Sequence, residues 1–529
     1  MTETGDIRTG RGWPLRPQEW GVMAALTVAL GWFLLAYPLG LDQGIYAVNA
    51  ARMLRGHALY SGAWDMKGPG IFFMYAVPIA MGGFRVWPIQ VFHLLLHFVT
   101  ALALYRMALW AFDRVVAWTA FVLWLVIAFS WGDPIRNGQP DDWMLPFFLG
   151  ALIALVAAWI NPRHRRRRAL AAGAMMAWVF LMRPPMILAA ALLPLVWLAL
   201  GWDRQGASLP STPSTPSVPS TASTSSTLST LTTLLLFYIA GGLAVGLATL
   251  LYFVVTGSVQ DLVYTQLKWN VRYAQADTPW ANLTWRMVWH NFAVRWDSYF
   301  DEWNELSWSP VMGLLGCALW RWRVGRLPWR ALGVWAVGLI LGASSLFIQM
   351  RFFNYHFWPV LPFLTLAVAL GVAMGLKLWG ELWRHASSIP GDGNGRRWFQ
   401  VSAALVLVFA VAGAFNAKSG LREMRKRQER TRNFLTGRDS RREFYERFNY
   451  FRIYRPFEDY QIARLIKEQT PPGQTPKLYI WGFRPAIYFM CGSIGPSRFP
   501  YNLLSITHIL CELQISPSQP DHKKCEKKP

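Results

Sequence analysis

Acidic residues and charge in general are scarce in this chain. Of its 529 residues only 15% are charged, and Lys plus Arg (52) far outnumber Asp plus Glu (29), a formal net charge of +23. Soluble domains carry about a quarter charged residues, so a water-soluble globular class is excluded. Cysteine is also sparse. Cys317, Cys491, Cys511 and Cys525 show no paired spacing and no accompanying His cluster, which argues against a structural zinc site. If the C-terminal region lies outside the cytoplasm, one disulfide among the last three is expected, with one thiol left over. No Walker loop, dinucleotide fingerprint or Gly-Xaa-Ser-Xaa-Gly occurs, so ATP, NAD and serine-hydrolase chemistry find no support.

What is abundant is apolar: 53% hydrophobic residues, with 30 Trp and 32 Phe suited to the membrane–water interface. The arginines sit in short clusters between apolar segments, which fits topogenic charge and anionic lipid rather than nucleic acid. The hydrophobic pattern predicts a polytopic α-helical membrane protein with spans near 20–38, 88–110, 115–131, 144–160, 169–182, 186–200, 232–255, 308–320, 331–349, 356–377 and 398–416. The first is too long for a cleaved signal and lacks a small-residue cleavage site, so it is expected to remain. The segment 69–83 is short and holds Gly70 and Pro78. Leaving it interfacial or re-entrant puts Arg163–Arg168, Arg321–Arg330 and Arg384–Arg397 on the cytoplasmic side with the N-terminus. About eleven spans then place the C-terminal region outside.

The expected organisation is a cytoplasmic N-terminus at 1–19, a transmembrane domain over 20–416, and a basic extracytoplasmic region at 417–529. Within the second, 207–230 is Ser/Thr/Pro-rich and reads as a flexible linker. In the third, Lys477–Phe483 reads as a strand and turn, so a small α/β domain is expected.

On this topology the acids gather in external loops. Asp42 follows the first span and opens a helix, Gln43 to Arg55, with Ile45, Val48 and Met53 able to face lipid. A carboxylate shielded from water there suits a general base, while solvation of a helix end is the plainer reading. Tyr46 reads as an interface anchor. Lys67, before Gly68-Pro69-Gly70, is either a snorkelling lysine or a phosphate clamp beside free helix N–H groups. Asp141 and Asp142 precede the next span; they either complement a helix dipole or form a second acidic site able to orient a sugar hydroxyl or hold a divalent cation. Arg351 in Arg351–Phe357 suits a phosphate, with Tyr355 and His356 beside it. Arg183 is a turn marker or a charge lining a cavity.

Together Asp42, Gly44, Tyr46, Gly56, Tyr60 and Lys67-Gly-Pro-Gly70 resemble the first external loop of the GT-C superfamily of polyprenyl-phosphate-sugar-dependent glycosyltransferases, near the protein O-mannosyltransferases and the lipid A aminoarabinose and galacturonosyl transferases. Residues 132–143, 351–362 and 481–488 are similar more loosely. The resemblance implies an integral membrane enzyme of the plasma (inner) membrane, active at the extracytoplasmic face, taking a sugar from a polyprenyl-phosphate donor to a lipid, glycan or protein acceptor with inversion. It implies Asp42 as the catalytic carboxylate, Lys67 as donor-phosphate ligand, Asp141 as the second acidic site and Arg351 as an assisting cation. Lys-Gly-Pro replaces the family's Lys-Pro-Pro, Tyr355-His356 reverses its usual order, and the tail after Ser505 departs from the expected ending, which points to a shortened C-terminal domain. A lipid-linked-sugar flippase and a non-catalytic membrane subunit are the alternatives. The flippase predicts charges deep within spans; the acids here fall mostly in loops.

Overall fold

The computed structural model describes residues 16–130, 137–201, 222–275, 284–300, 309–349, 352–388, 420–450, 454–480 and 482–499. These are almost wholly helical: α1 Pro17–Gly31, α2 Leu41–Leu54, α3 Pro69–Gly82, α4 Val86–Ala111, α5 Arg114–Ser130, α6 Pro140–Trp143, α7 Leu145–Ile160, α8 Arg165–Met182, α9 Ile187–Leu192, α10 Val196–Gly201 and α11 Ala222–Val255. After α12, Val259–Val263, a π-helical turn spans Tyr264–Trp269. There follow α13 Asn270–Gln275, α14 Trp285–Phe300, α15 Ser309–Val324, α16 Trp329–Gln349, α17 Leu361–Ser388, α18 Gly420–Leu435, α19 Arg441–Glu446, α20 Pro456–Gln469 and α21 Pro485–Cys491.

Helices are the form in which a chain satisfies its own backbone groups in hydrocarbon. Among the described residues, six helical segments are long and apolar enough to cross a membrane: Pro17–Ala36, Val86–Ala111, Pro140–Ile160, Ser229–Val255, Trp329–Gln349 and Leu361–Arg384. The protein is a multi-pass membrane protein. The other expected spans within the described residues fall on shorter helices, and 398–416 lies outside those residues. The segment 69–83 forms the 14-residue α3, about 21 Å at 1.5 Å per residue and too short for a core about 30 Å thick. The stretch 186–200 is broken into short pieces around Pro184, Pro185 and Pro194, because proline lacks the N–H a helix interior needs. At 356–377 the long helix begins later than expected, at Leu361, after a 3₁₀ turn at Asn354–Phe357.

Packing between long helices uses small residues. Where α8 crosses α11, a Cβ on Gly173 would sit 1.8 Å from the Tyr238 carbonyl oxygen, so the two backbones approach as only glycine allows. The linker expectation is corrected at its end: α11 already starts at Ala222. Between Pro219 and Pro279 no proline interrupts the chain, and Ala, Ser and Thr extend the apolar helix backward. The rest of the Ser/Thr/Pro-rich stretch lies outside the described residues.

Two further expectations are corrected. Ile45 and Val48 do not face lipid: they are buried at 3% and 0% exposure, since α2 is covered by α3 on one side and α21 on another. And 477–480 forms no strand; among the described residues of the C-terminal region there are only helices, coil and a single Tyr450–Tyr454 bridge, with no neighbouring strand to pair with. Cys491 is buried, its thiol donating to the Tyr488 carbonyl at 3.4 Å, while Cys511 and Cys525 lie outside the described residues.

The described C-terminal residues are fastened to the first loop. Buried Arg52 donates from Nη1 to the carbonyls of Ile494 (2.7 Å) and Gly495 (2.9 Å), and from Nε to that of Gly62 (2.6 Å). The Tyr454 hydroxyl donates to the Leu39 carbonyl at 2.6 Å, and the Trp64 amide to that of Arg498 at 2.9 Å.

Candidate active site

Asp42 stands in the first turn of α2, where free backbone N–H groups favour an anion. The Gln43 side chain accepts from the Gly40 amide at 2.8 Å and closes that helix start. Asp42 Oδ2 accepts a hydrogen bond from Gln139 Nε2 at 2.8 Å, and Gln139 Oε1 accepts one from the Tyr46 hydroxyl at 3.0 Å. Gln139 is fully buried. It joins the first loop to the start of α6 and was not singled out in the sequence, where a lone glutamine before Pro-Asp-Asp carries no signal of its own. Tyr46, expected as an interface anchor, is instead fully buried, with its ring edge against Phe72 and Tyr75. Burial, with the charges of Asp42 and Asp65 added, holds its hydroxyl well above the ordinary phenol range, so it stays a hydrogen-bond donor.

Lys67 is placed by an unusual loop. Tyr60 has φ +70° and 0% exposure, a left-handed conformation a bulky residue rarely takes. Its hydroxyl donates to the Lys67 carbonyl at 2.8 Å, and its ring stacks on Phe253. The π-helical turn closes over the loop: Gln266 Nε2 donates to the Lys67 carbonyl and to the Tyr60 hydroxyl, both at 3.0 Å, and Thr265 accepts from the Trp64 indole at 3.2 Å. Asp65, buried, accepts from the Lys67 amide at 3.0 Å. Next, a Cβ on Gly68 would lie 2.1 Å from the Leu181 carbonyl oxygen. The glycine that departs from Lys-Pro-Pro is what lets the loop dock on the end of α8, one residue pair before Arg183.

The Lys67 ammonium lies 6.0 Å from the Tyr355 ring centroid. Burial works against its charge, but Tyr355, Asp42 and Asp65 outweigh burial and the opposing Arg183, and its pKa is raised. By the reciprocal balance the Tyr355 phenol is raised by burial, with Lys67 and Arg183 pulling it down and Asp42 and Asp141 pushing it up. These couplings put Asp42, Lys67, Asp141, Arg183 and Tyr355 in one electrostatic neighbourhood. Arg183 is therefore no mere turn marker: it is 5% exposed, its Nε is 2.9 Å from Asp141 Oδ1, and its Nη2 bonds Gln349. The 3₁₀ turn carrying Tyr355 packs against α6, and His356 is buried with its ring edge on Tyr355 and Phe353. Asp142 turns elsewhere, accepting from the Gly138 amide at 3.1 Å and lying 3.8 Å from His93. Arg351 lies outside the described residues.

Residues 66–218 match the family model described as dolichyl-phosphate-mannose-protein mannosyltransferase. That segment holds Lys67, Gln139, Asp141 and Arg183. Among solved structures, ArnT from Cupriavidus metallidurans, bound to undecaprenyl phosphate, matches over 90% of this chain and 85% of its own, with TM-score 0.50 and 14% identity. The archaeal oligosaccharyltransferase AglB from Archaeoglobus fulgidus, in complex with an inhibitory peptide and a dolichol-phosphate, matches over 90% of this chain and 63% of its own, with TM-score 0.47 and 12% identity. The chain shares the overall fold of this ArnT structure. The resemblance expected from the first loop thus holds in a family model and in a fold. The chain spans less than two thirds of the length of AglB, and no curated protein sequence matches it.

Proposed function

We propose that this GT-C chain transfers a sugar from a polyprenyl-phosphate-linked donor to an acceptor of the cell envelope (lipid, glycan or protein), with inversion. The observation that carries this reading is the convergence of a hydrogen-bonded carboxylate, Asp42, with a half-buried cation, Lys67, in one neighbourhood. The family model and the fold favour the same chemistry.

In the proposed step Asp42 takes the proton of an acceptor hydroxyl through the oxygen that Gln139 does not engage. The acceptor oxygen bonds to the anomeric carbon as the bond from that carbon to the phosphate oxygen breaks, and the polyprenyl phosphate leaves as an anion. Lys67 stabilises the charge that develops on it in a site shielded from water, with Arg351 as a second ligand by resemblance. Tyr355 packs beside the lysine, and the Asp141–Arg183 pair fixes the second acidic loop. The arginine clusters at 163–168, 321–330 and 384–397 favour a plasma-membrane orientation with this site on the extracytoplasmic face.

The test is mass spectrometry of envelope glycoconjugates and polyprenyl-phosphate sugars in cells with the wild-type protein, without it, and with Asp42→Ala at equal level. One glycan should lose a single sugar mass in both deficient strains while the matching lipid-linked sugar accumulates. Unchanged glycans and lipid pools would overturn the reading in favour of transport or scaffolding.

A further inference from the structure

A cavity of about 670 Å³ opens between the start of α8 and the N-terminal part of α11. One wall is the run Arg163 to Arg167, four arginines and His164; the other is Ser229, Thr230 and Thr233. The membrane-spanning part of α11 begins at Ser229, so the cavity lies where the apolar core of a bilayer gives way to its headgroups. It is at the other end of these helices from the candidate active site. The 18 residues of α8, about 27 Å long, lead from the cavity to Arg183. The far end of α11 lies against the first loop, its Tyr252 hydroxyl accepting from the Leu59 amide at 3.1 Å.

Protein atoms leave these cations largely unbalanced. Among the described residues no Asp or Glu lines the cavity, and the first turn of α8 contains none. Arg165 donates from Nη1 to the Thr230 hydroxyl at 3.3 Å, while its Nε is buried without a partner among those residues. Thr230, accepting there, keeps its own hydrogen to donate. Arg168 turns away to the Ala157 carbonyl at 2.8 Å, and Arg166 lies 5.6 Å over the Phe237 ring. Like charges this close in a helix repel, and the positive end of the α8 dipole adds to the repulsion. Topogenic charge accounts for arginines in this loop. It does not require a cavity that gathers them opposite a hydroxyl donor.

The α11 wall continues into apolar surface. Ser229, Thr233, Leu236 and Leu243 follow one stripe of the helix at helical spacing, and both leucines are exposed. A free anion gains nothing from that stripe, whereas an amphiphile uses both parts. We propose that the cavity binds the headgroup of an anionic glycerophospholipid by its phosphate. The phosphate is held by the arginines of the α8 wall and the Thr230 hydroxyl, and an acyl chain lies along Leu236 and Leu243. Basic pockets between membrane helices take such headgroups. On the orientation proposed above, the lipid belongs to the cytoplasmic leaflet. It clamps α8 to α11, the two helices that reach Arg183 and the first loop at their other ends. The site uses none of Asp42, Lys67 and Asp141, and it stands or falls separately from sugar transfer.

The experiment uses the full chain, purified in detergent, stripped of lipid and titrated with phosphatidylglycerol or with phosphatidylcholine of the same acyl chains. Native mass spectrometry counts the lipid retained. The wild type should retain one phosphatidylglycerol and no phosphatidylcholine. A triple variant, Arg163→Gln with Arg166→Gln and Arg167→Gln, should bind phosphatidylglycerol about 100-fold more weakly. The Thr233 hydroxyl only turns back to the Ser229 carbonyl, so Thr233→Trp fills the cavity while keeping every charge. It too should lose the lipid, and it decides the matter should the triple variant not fold. Arg321→Gln with Arg326→Gln and Arg384→Gln removes as much charge elsewhere and should match the wild type. No retained phosphatidylglycerol, equal retention of both lipids, equal loss in this last variant, or unchanged binding by Thr233→Trp overturns the proposal in favour of a topogenic cluster that attracts charge diffusely. Displacement of the lipid by an equal concentration of inorganic phosphate overturns it in favour of a free-phosphate site.

Discussion

Gln139 holds Asp42 through a 2.8 Å hydrogen bond, and it can do so only with its amide nitrogen. The Tyr46 hydroxyl occupies the amide oxygen at 3.0 Å, which fixes the orientation of the group. The carboxylate proposed as the base is thus aimed by a residue from the second loop.

Replacing that amide with an acid should show in the pH profile. In Gln139→Glu a second negative charge faces Asp42, and repulsion disfavours the state in which both carboxylates are ionised. Since the base acts deprotonated, the rising limb of kcat/KM should move to higher pH. Gln139→Leu, which only loosens Asp42, should lower kcat about 10- to 100-fold with little change in that limb. Turnover of a purified lipid-linked donor across pH measures both, and an unchanged profile in Gln139→Glu would remove Gln139 from the site.

Lys67→Ala should lower the rate by about 10²-fold or more if the ammonium stabilises the leaving phosphate. Lys67→Arg should recover part of this, the charge being kept and the geometry altered. The Lys67 pKa is raised above 10.5, so the charge is present at all lower pH and is lost only above that value. No loss of donor binding from this group should appear on going from neutral pH to about pH 9. Single-turnover assays with donor in excess report the first effect, and donor titrations the second.

The pair Asp141–Arg183 is buried on both sides, at 0% and 5% exposure. Removing one partner leaves an uncompensated charge and should cost about 3–5 kcal/mol. Arg183→Met and Asp141→Leu should each lower the unfolding temperature in detergent, and the double variant should lie closer to wild type than either. Strict additivity would show that the two do not interact.

Gly68→Pro restores the residue the family pattern carries, and here it should be harmful. Any Cβ at 68 meets the Leu181 carbonyl at 2.1 Å, and such overpacking typically costs about 1–3 kcal/mol. Reduced folded yield by size-exclusion chromatography, with loss of activity, is expected; a fully stable and active Gly68→Pro would refute the docking of this loop on α8.

In the C-terminal region Asp459 is pushed up to about 6 by burial, against the pull of Arg484 at 3.0 Å. A raised folded-state pKa means that the folded form prefers the protonated acid. Its contribution to stability is full below the ordinary value near 4 and is lost as pH rises through about 6. Hydrogen exchange of α20 and α21 should therefore quicken between pH 4 and 7 beyond the intrinsic chemical rate. Asp459→Asn should flatten that dependence.

Composition and hydrophobic length settled the class of this protein. A chain with apolar runs this long, and charge confined to short clusters between them, forms membrane helices, because a helix satisfies its own backbone groups in lipid and a barrel strand needs only about 9–11 residues. Asp42, Lys67, Asp141 and Arg183 were visible too, since charges beside spans are costly and few. The sequence could not say which charge meets which. That Gln139 aims Asp42, that Tyr46 is buried to hold Gln139, and that Arg183 belongs to Asp141 while Asp142 turns to His93 and His97 are long-range facts. They join residues 42 to 97 positions apart through helices whose rotation is set by packing, as at Gly173 and Gly68. Periodicity reports that a helix has a buried face; only the tertiary structure decides what that face is buried against.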